Sequence, residues 1–120
     1  MRCIVTGAAG FIGSRLCETL VEKGYDVIGI DMLSDNYQKK TKLSNLSSVA
    51  NDRRFKLVEG DLAEIDLNGI LQKDDAVFHL AAETGLKGWD FLNGYIRNNI
   101  IATHHLLEAA KKCKASHFIH

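Results

Sequence analysis

Proline is absent from all 120 residues. A complete enzyme seldom lacks it, so the absence suits a short stretch of chain. No apolar run approaches the roughly 18 residues that a membrane span needs. The opening "MRCIVTG" enters a strand pattern at once, with no basic stretch, apolar stretch and cleavage site ahead of it. A cytoplasmic location with no membrane partner is the expectation. Charge of either sign is not in excess: 15 basic residues offset 15 acidic ones. No bulk field draws in nucleic acid, and none is expected as a partner. Cysteine is limited to Cys3, Cys17 and Cys113, an odd count with no C-x-x-C pair. Cys3 lies in an apolar strand run and Cys17 on an apolar helix face, so both read as small core residues. The five histidines show no metal-type spacing joined to these cysteines, and no metal site is expected.

What is present is an alternation of short apolar runs with helical patterns. "CIVTG" (3–7) reads as a strand that is apolar on both faces, the mark of a central parallel strand. Phe11, Ile12, Leu16, Cys17, Leu20 and Val21 then recur at helical spacing, and Gly24 ends that helix. "YDVIGID" (25–31), "RFKLVEG" (54–60), "DAVFHLA" (75–81) and "SHFIH" (116–120) read as four more strands. Between them, Leu43, Leu46, Val49 and Ala50 suggest one weak helix, and Asp66 caps a short one carrying Leu67, Ile70 and Leu71. A long helix is expected from Asp90 to Lys112. Its broad apolar face would hold Phe91, Leu92, Tyr95, Ile96, Asn99, Ile100, Thr103, Leu107 and Ala110. Parallel strands need right-handed crossovers, which place helices on both faces. The fold class is α/β: a three-layer, doubly wound (Rossmann) parallel sheet in the order 3-2-1-4-5, incomplete on its C-terminal side. Residues 1–120 read as one domain.

The glycines at 7, 10 and 13 sit where the first strand turns into the first helix. Gly7 permits the tight turn. Gly10 leaves room for a pyrophosphate to approach the backbone, and Gly13 lets helix and strand pack closely. Main-chain N–H groups and the positive end of the helix dipole then face the anion. The candidate contacts here are Gly7, Gly10, Phe11, Ile12 and Gly13. The spacing is one residue longer than the commonest dinucleotide fingerprint, but strand, helix and a following acid supply its context. That acid is Asp31, at the end of strand two, where it would accept hydrogen bonds from an adenosine ribose diol. Met32 follows rather than arginine, which favours NAD over NADP. Lys39 and Lys40 keep NADP open, and a plain turn-capping role for Asp31 stays open as well.

With these residues in view, "TGAAGFIGS" (6–14), "GDL" (60–62), "HLAA" (79–82) and "YIRNNIIATHHLLEAA" (95–110) resemble the extended short-chain dehydrogenase/reductase family. Within it they look most like the NAD-dependent sugar-nucleotide epimerases and dehydratases, such as UDP-glucose and UDP-glucuronate 4-epimerases. The resemblance covers nearly the whole chain. It implies that Asp61 hydrogen-bonds the adenine amino group, with the Leu62 backbone completing that contact. It implies that Leu80, Ala81 and Ala82 line the cofactor and that Asn99 steadies the central strands, with Asn98 competing for that role. Asn36 and Ser34 would touch the adenosine ribose. Lys87 would match a basic residue near the phosphates, or else be solvated.

The family's chemistry uses a Tyr-x-x-x-Lys pair with a Ser or Thr nearby; the phenolate acts as general base at a sugar hydroxyl. Here Tyr25, Tyr37 and Tyr95 are followed four residues on by Gly29, Thr41 and Asn99, none of them lysine. No catalytic residue is therefore assigned, and His79 reads as a structural histidine. The expected function is the NAD(H)-binding portion of a nucleotide-sugar epimerase or dehydratase, inactive alone, with a nucleotide-sugar substrate only in the complete enzyme. A non-catalytic NAD-binding module and a short-chain reductase of another carbonyl substrate are the alternatives. An open fifth strand and a helix with apolar residues to spare predict a homo-oligomer.

Overall fold

Strands that are apolar on both faces require cover on both sides of their sheet. The computed structural model has that arrangement in the residues it describes, 1–33, 36–85 and 87–120. Strands β1 (Arg2–Thr6), β2 (Asp26–Asp31), β3 (Phe55–Glu59), β4 (Ala76–His79) and β5 (His117–Ile119) form one sheet in the order β3-β2-β1-β4-β5. Every pairing is parallel. The 3-2-1-4-5 order expected of a Rossmann-type sheet is the one observed. Each strand differs by a residue or two at its ends from the apolar run that announced it.

Side-chain alternation divides the core in two. Cys3 and Val5 of β1 pack with Cys17, Leu20 and Val21 of helix α1 (Phe11–Glu22). Ile4, between them, packs on the other side with Ala102, Leu106, Ala109 and Ala110 of a C-terminal helix that spans Ala102–Cys113. Gly24, at φ +86°, follows the C-cap of α1 and turns the chain into β2. At the opposite end of β1 from the glycine loop, Arg2 grips Asp75 with two hydrogen bonds of 2.9 and 2.7 Å, tying β1 to the entrance of β4. The fork geometry of the guanidinium makes such a bidentate contact directional as well as strong.

Three expectations need correction. Phe11 and Ile12, assigned to an apolar helix face, are 87% and 66% exposed. They form the first turn of α1, beyond the reach of the sheet. The weak helix lies earlier than its apolar residues suggest: α2 spans Asn36–Asn45, while Leu46 and Val49 are buried from the turns that follow it. Burial needs a side chain that crosses the core, not a helix. The long C-terminal helix is not of one pitch. A 3₁₀ turn (Trp89–Phe91) leads into α3 (Leu92–Tyr95), then a π-helical segment (Ile96–Ile101), then α4 (Ala102–Cys113). The wider π turn shifts the face presented to the core. Ile100, in that segment, and Leu107, in α4, are 63% and 43% exposed, although Asn99, Thr103 and Ala110 do point inward. Asp66 caps a single 3₁₀ turn, Leu67–Gly69, by accepting from the Asn68 N–H.

Candidate functional site

The glycine loop runs from the end of β1 to the start of α1. Gly7 has φ +67°, and a Cβ there would lie 2.9 Å from the Ala81 nitrogen. Turn geometry and the neighbouring strand end both demand glycine. A Cβ on Gly13 would lie 2.0 Å from the Gly7 carbonyl oxygen. The close packing therefore joins helix to loop, rather than helix to strand as the spacing suggested. Gly10 differs from both. Beyond its chain neighbours, and among the described residues, a Cβ there would meet the Gly7 oxygen alone within 4 Å, at 3.2 Å. Gly10 is also the N-cap of α1, with no side-chain cap hydrogen bond. Phe11, Ile12 and Gly13 supply the first N–H groups of the helix, which have no carbonyl partner one turn earlier. The positive end of the helix dipole adds to them.

This loop borders a cleft of about 620 Å³ at the C-terminal ends of the strands. It lies where the chain order changes direction, with β2 on one side of β1 and β4 on the other. Gly7, Gly10 and Asp31 line it from the first two strands. Asp61 and Leu62 enter after β3, and Leu80, Ala81 and Ala82 after β4. The cleft thus gathers eight of the residues assigned to the cofactor from the sequence, together with the further candidates Asn98 and Lys87. Phe11, Ile12, Gly13 and Asn99 do not line it. The Asn36 side chain and Ser34 lie outside the described residues.

Asp31 is 5% exposed, and its carboxylate faces three donors. Oδ2 accepts from the Ala9 N–H at 3.1 Å, and Oδ1 from the Leu33 N–H at 2.9 Å. Lys42 Nζ donates to Oδ1 at 2.9 Å. The acid therefore holds the glycine loop in place as well as bordering the cleft. A carboxylate offers about four acceptor positions, so one on Oδ2 is left for a ligand hydroxyl. Lys42 was not legible in the sequence. Lys39, which was singled out there, pairs instead with Glu59 on β3 at 3.1 Å.

Asp61 accepts from the Ala63 N–H at 2.9 Å and forms a close ion pair with Arg97. Arg97 also reaches Glu64 at 2.5 Å. Asn99 accepts from the Glu83 N–H at 2.7 Å and donates to the Glu83 carbonyl at 3.1 Å. It acts on the cleft by fixing the loop after β4. Asn98 lines the cleft and donates to the Glu83 carboxylate at 3.3 Å. Lys87 lines the cleft too, paired to Glu83 at 2.7 Å, with its ammonium 4.5 Å from the Phe91 ring centre.

A polar chain runs beneath these residues. The Leu80 and Ala81 N–H groups both donate to Thr6 Oγ1 at 3.2 Å. With its lone pairs engaged, the Thr6 hydroxyl donates to His79 Nδ1 at 2.7 Å. His79 Nε2–H then donates to Thr103 Oγ1 at 2.8 Å, and Thr103 donates to the Asn99 carbonyl at 2.8 Å. His79 is 2% exposed, and burial, with a contribution from His120, pushes its pKa down to about 4. The neutral ring has both nitrogens satisfied, which bears out the structural role expected of it. Burial likewise pushes the Cys17 thiol up to about 12, as for an inert core residue.

The profile of the "NAD dependent epimerase/dehydratase family" matches residues 3–120. The chain is 39% identical over 122 residues to "Uncharacterized UDP-glucose epimerase YtcB" of Bacillus subtilis, covering 99% of this chain and 39% of that protein. It is 37% identical over 123 residues to a UDP-glucose 4-epimerase of Mycolicibacterium smegmatis, covering 100% of this chain and 38% of that one. Among solved structures, UDP-glucuronic acid 4-epimerase from Bacillus cereus in complex with NAD superposes with a TM-score of 0.87 at 42% identity. That match covers 98% of this chain and 39% of the other. The chain thus spans less than two-fifths of the length of these relatives.

Proposed function

The chain belongs to the NAD dependent epimerase/dehydratase family, and on that premise we propose that it holds NAD for the epimerisation or dehydration of a nucleotide-bound sugar. The observation that carries the reading is the Gly10 cradle. Among the described residues, and apart from its neighbours in the chain, one atom lies within 4 Å of where a Cβ would stand, so a phosphate can reach the amides at the start of α1. The residues around it fit a dinucleotide. The N–H groups of Phe11, Ile12 and Gly13 would receive the pyrophosphate, as uncapped helix starts do. Asp31 would accept from the adenosine ribose, and Asp61 with the Leu62 N–H would take the adenine edge. Leu80, Ala81 and Ala82 form an apolar wall, which Thr6, His79 and Asn99 hold from behind. Asn36 belongs to the ribose side of the same reading. NAD, when bound, supplies a hydride acceptor.

No general base is assigned within these 120 residues. Tyr95 donates its hydroxyl to the Gly85 carbonyl at 2.7 Å and accepts from the Lys87 N–H at 2.7 Å, so it clasps a loop. The chain alone is expected to bind NAD without turning over a sugar nucleotide. Self-association belongs to the same reading: Leu92, Ile96, Ile100, Ile101 and Leu107 leave an apolar stripe along the C-terminal helical run. Calorimetric titration with NAD should give saturable one-site binding. Adding a nucleotide sugar to the loaded chain should produce no reduced-nicotinamide absorbance. Absence of any NAD binding would overturn the reading.

A further inference from the structure

Resting on that reading, the geometry points to Lys42 as a determinant of which dinucleotide the cleft accepts, because it neutralises Asp31 and stands ready for a phosphate on the adenosine 2′-oxygen. An unaccompanied carboxylate at the end of β2 would repel such a phosphate and select the plain diol. Asp31 is not unaccompanied. Lys42 Nζ lies 2.9 Å from Oδ1, and the lysine side chain is 24% exposed while that of Asp31 is 4% exposed. Both side chains line the same cleft. The pair therefore presents no net charge to the place where the ribose would sit.

The neighbouring lysines do not take this position. Lys39 is directed to Glu59, and Lys40 is exposed and does not line the cleft. An ammonium carries three N–H donors, and the contact with Asp31 uses one. The others can turn to phosphate oxygens without Lys42 leaving the acid. Asp31 and Lys42 thus oppose each other in selection: the acid favours the unphosphorylated ribose, and the base reduces that preference.

Calorimetric titration of NAD and NADP at one fixed ionic strength tests this. Five proteins are compared: wild type, Lys42→Met, Lys42→Arg, Asp31→Asn and the Asp31→Asn/Lys42→Met double variant. Lys42→Met should weaken NADP by about ten-fold or more, the scale of a lost charge-assisted hydrogen bond, and NAD by less than about three-fold. Asp31→Asn should shift the NAD:NADP affinity ratio towards NADP by about ten-fold, and the added Lys42→Met change should reverse that shift. Lys42→Arg, which keeps the charge, should retain NADP binding. If wild type binds NADP too weakly to measure, Asp31→Asn against the double variant gives the same ratio. NAD binding with an NAD:NADP ratio unmoved by Lys42→Met, in wild type and in the Asp31→Asn background, would overturn the inference alone. Failure of wild type to bind either dinucleotide would overturn the underlying reading as well.

Discussion

Replacing Gly13 by alanine should unfold the chain more than replacing Gly10, although both sit in one loop. The new Cβ at 13 would stand 2.0 Å from the Gly7 oxygen, 2.8 Å from its carbonyl carbon and 3.0 Å from the Ala8 Cα. All three obstacles are backbone, and Gly7 is itself wedged against Ala81. Nothing there can rotate out of the way, so α1 must lift from the loop. Overpacking of this kind costs about 3 kcal/mol, the upper end of its usual range. Alanine returns about 1 kcal/mol through its better helix propensity. The net loss of about 2 kcal/mol corresponds to a fall in Tm of roughly 8 °C for a chain of this size. At Gly10 the single 3.2 Å contact can relax, and the backbone there, at φ −74° and ψ 175°, suits alanine. Its cost should stay below about 1 kcal/mol, mostly from the poorer N-cap. Thermal unfolding followed by circular dichroism measures both. A Gly13→Ala protein melting within about 2 °C of wild type, or a Gly10→Ala protein falling equally far, would refute the packing argument.

Two further outcomes concern the buried polar groups. His79 titrates near 4 when folded and near its ordinary 6.5 when unfolded. Between those values the unfolded chain binds more protons, so stability is present in full above pH 6.5 and falls as pH drops towards 4. The loss is on the order of 3 kcal/mol. His79→Asn should melt lower than wild type at neutral pH, with that gap closing by pH 4.5; an unchanged gap would count against a buried neutral imidazole. Asp75 is 2% exposed and accepts from Arg2 and from the Gln72 N–H at 2.7 Å. Asp75→Ala should lower the urea midpoint by an amount equivalent to about 3 kcal/mol, as for a broken buried ion pair. A shift equivalent to less than about 1 kcal/mol would mean the pair is not coupled to folding.

The sheet was legible because its signals are local. Each strand is a short apolar run ended by glycine, acid or polar residues, and the parallel order follows from the crossovers. The glycine loop and Asp31 were legible because their spacing carries a backbone requirement. What escaped depended on distance in three dimensions or on a change of pitch. Lys42 meets Asp31 only because α2 starts at Asn36, which puts Lys39 and Lys42 one turn apart on the helix. Arg97 meets Asp61 across 36 positions, and Arg2 meets Asp75 across 73. The π segment escaped a count based on 3.6 residues per turn, and Ile100 within it was assigned inward and found exposed. One clue was present: Thr6, a polar letter ending an apolar strand, turns out to anchor the polar chain through His79.

The claim that a diphosphate rests on bare amides can be watched amide by amide. In a ¹⁵N–¹H correlation spectrum of the labelled chain titrated with NAD, the largest shifts should fall on Ala9 to Gly13, with Leu33 and Leu62 following. Saturable NAD binding that leaves the Gly10 to Gly13 amides unmoved would contradict the account.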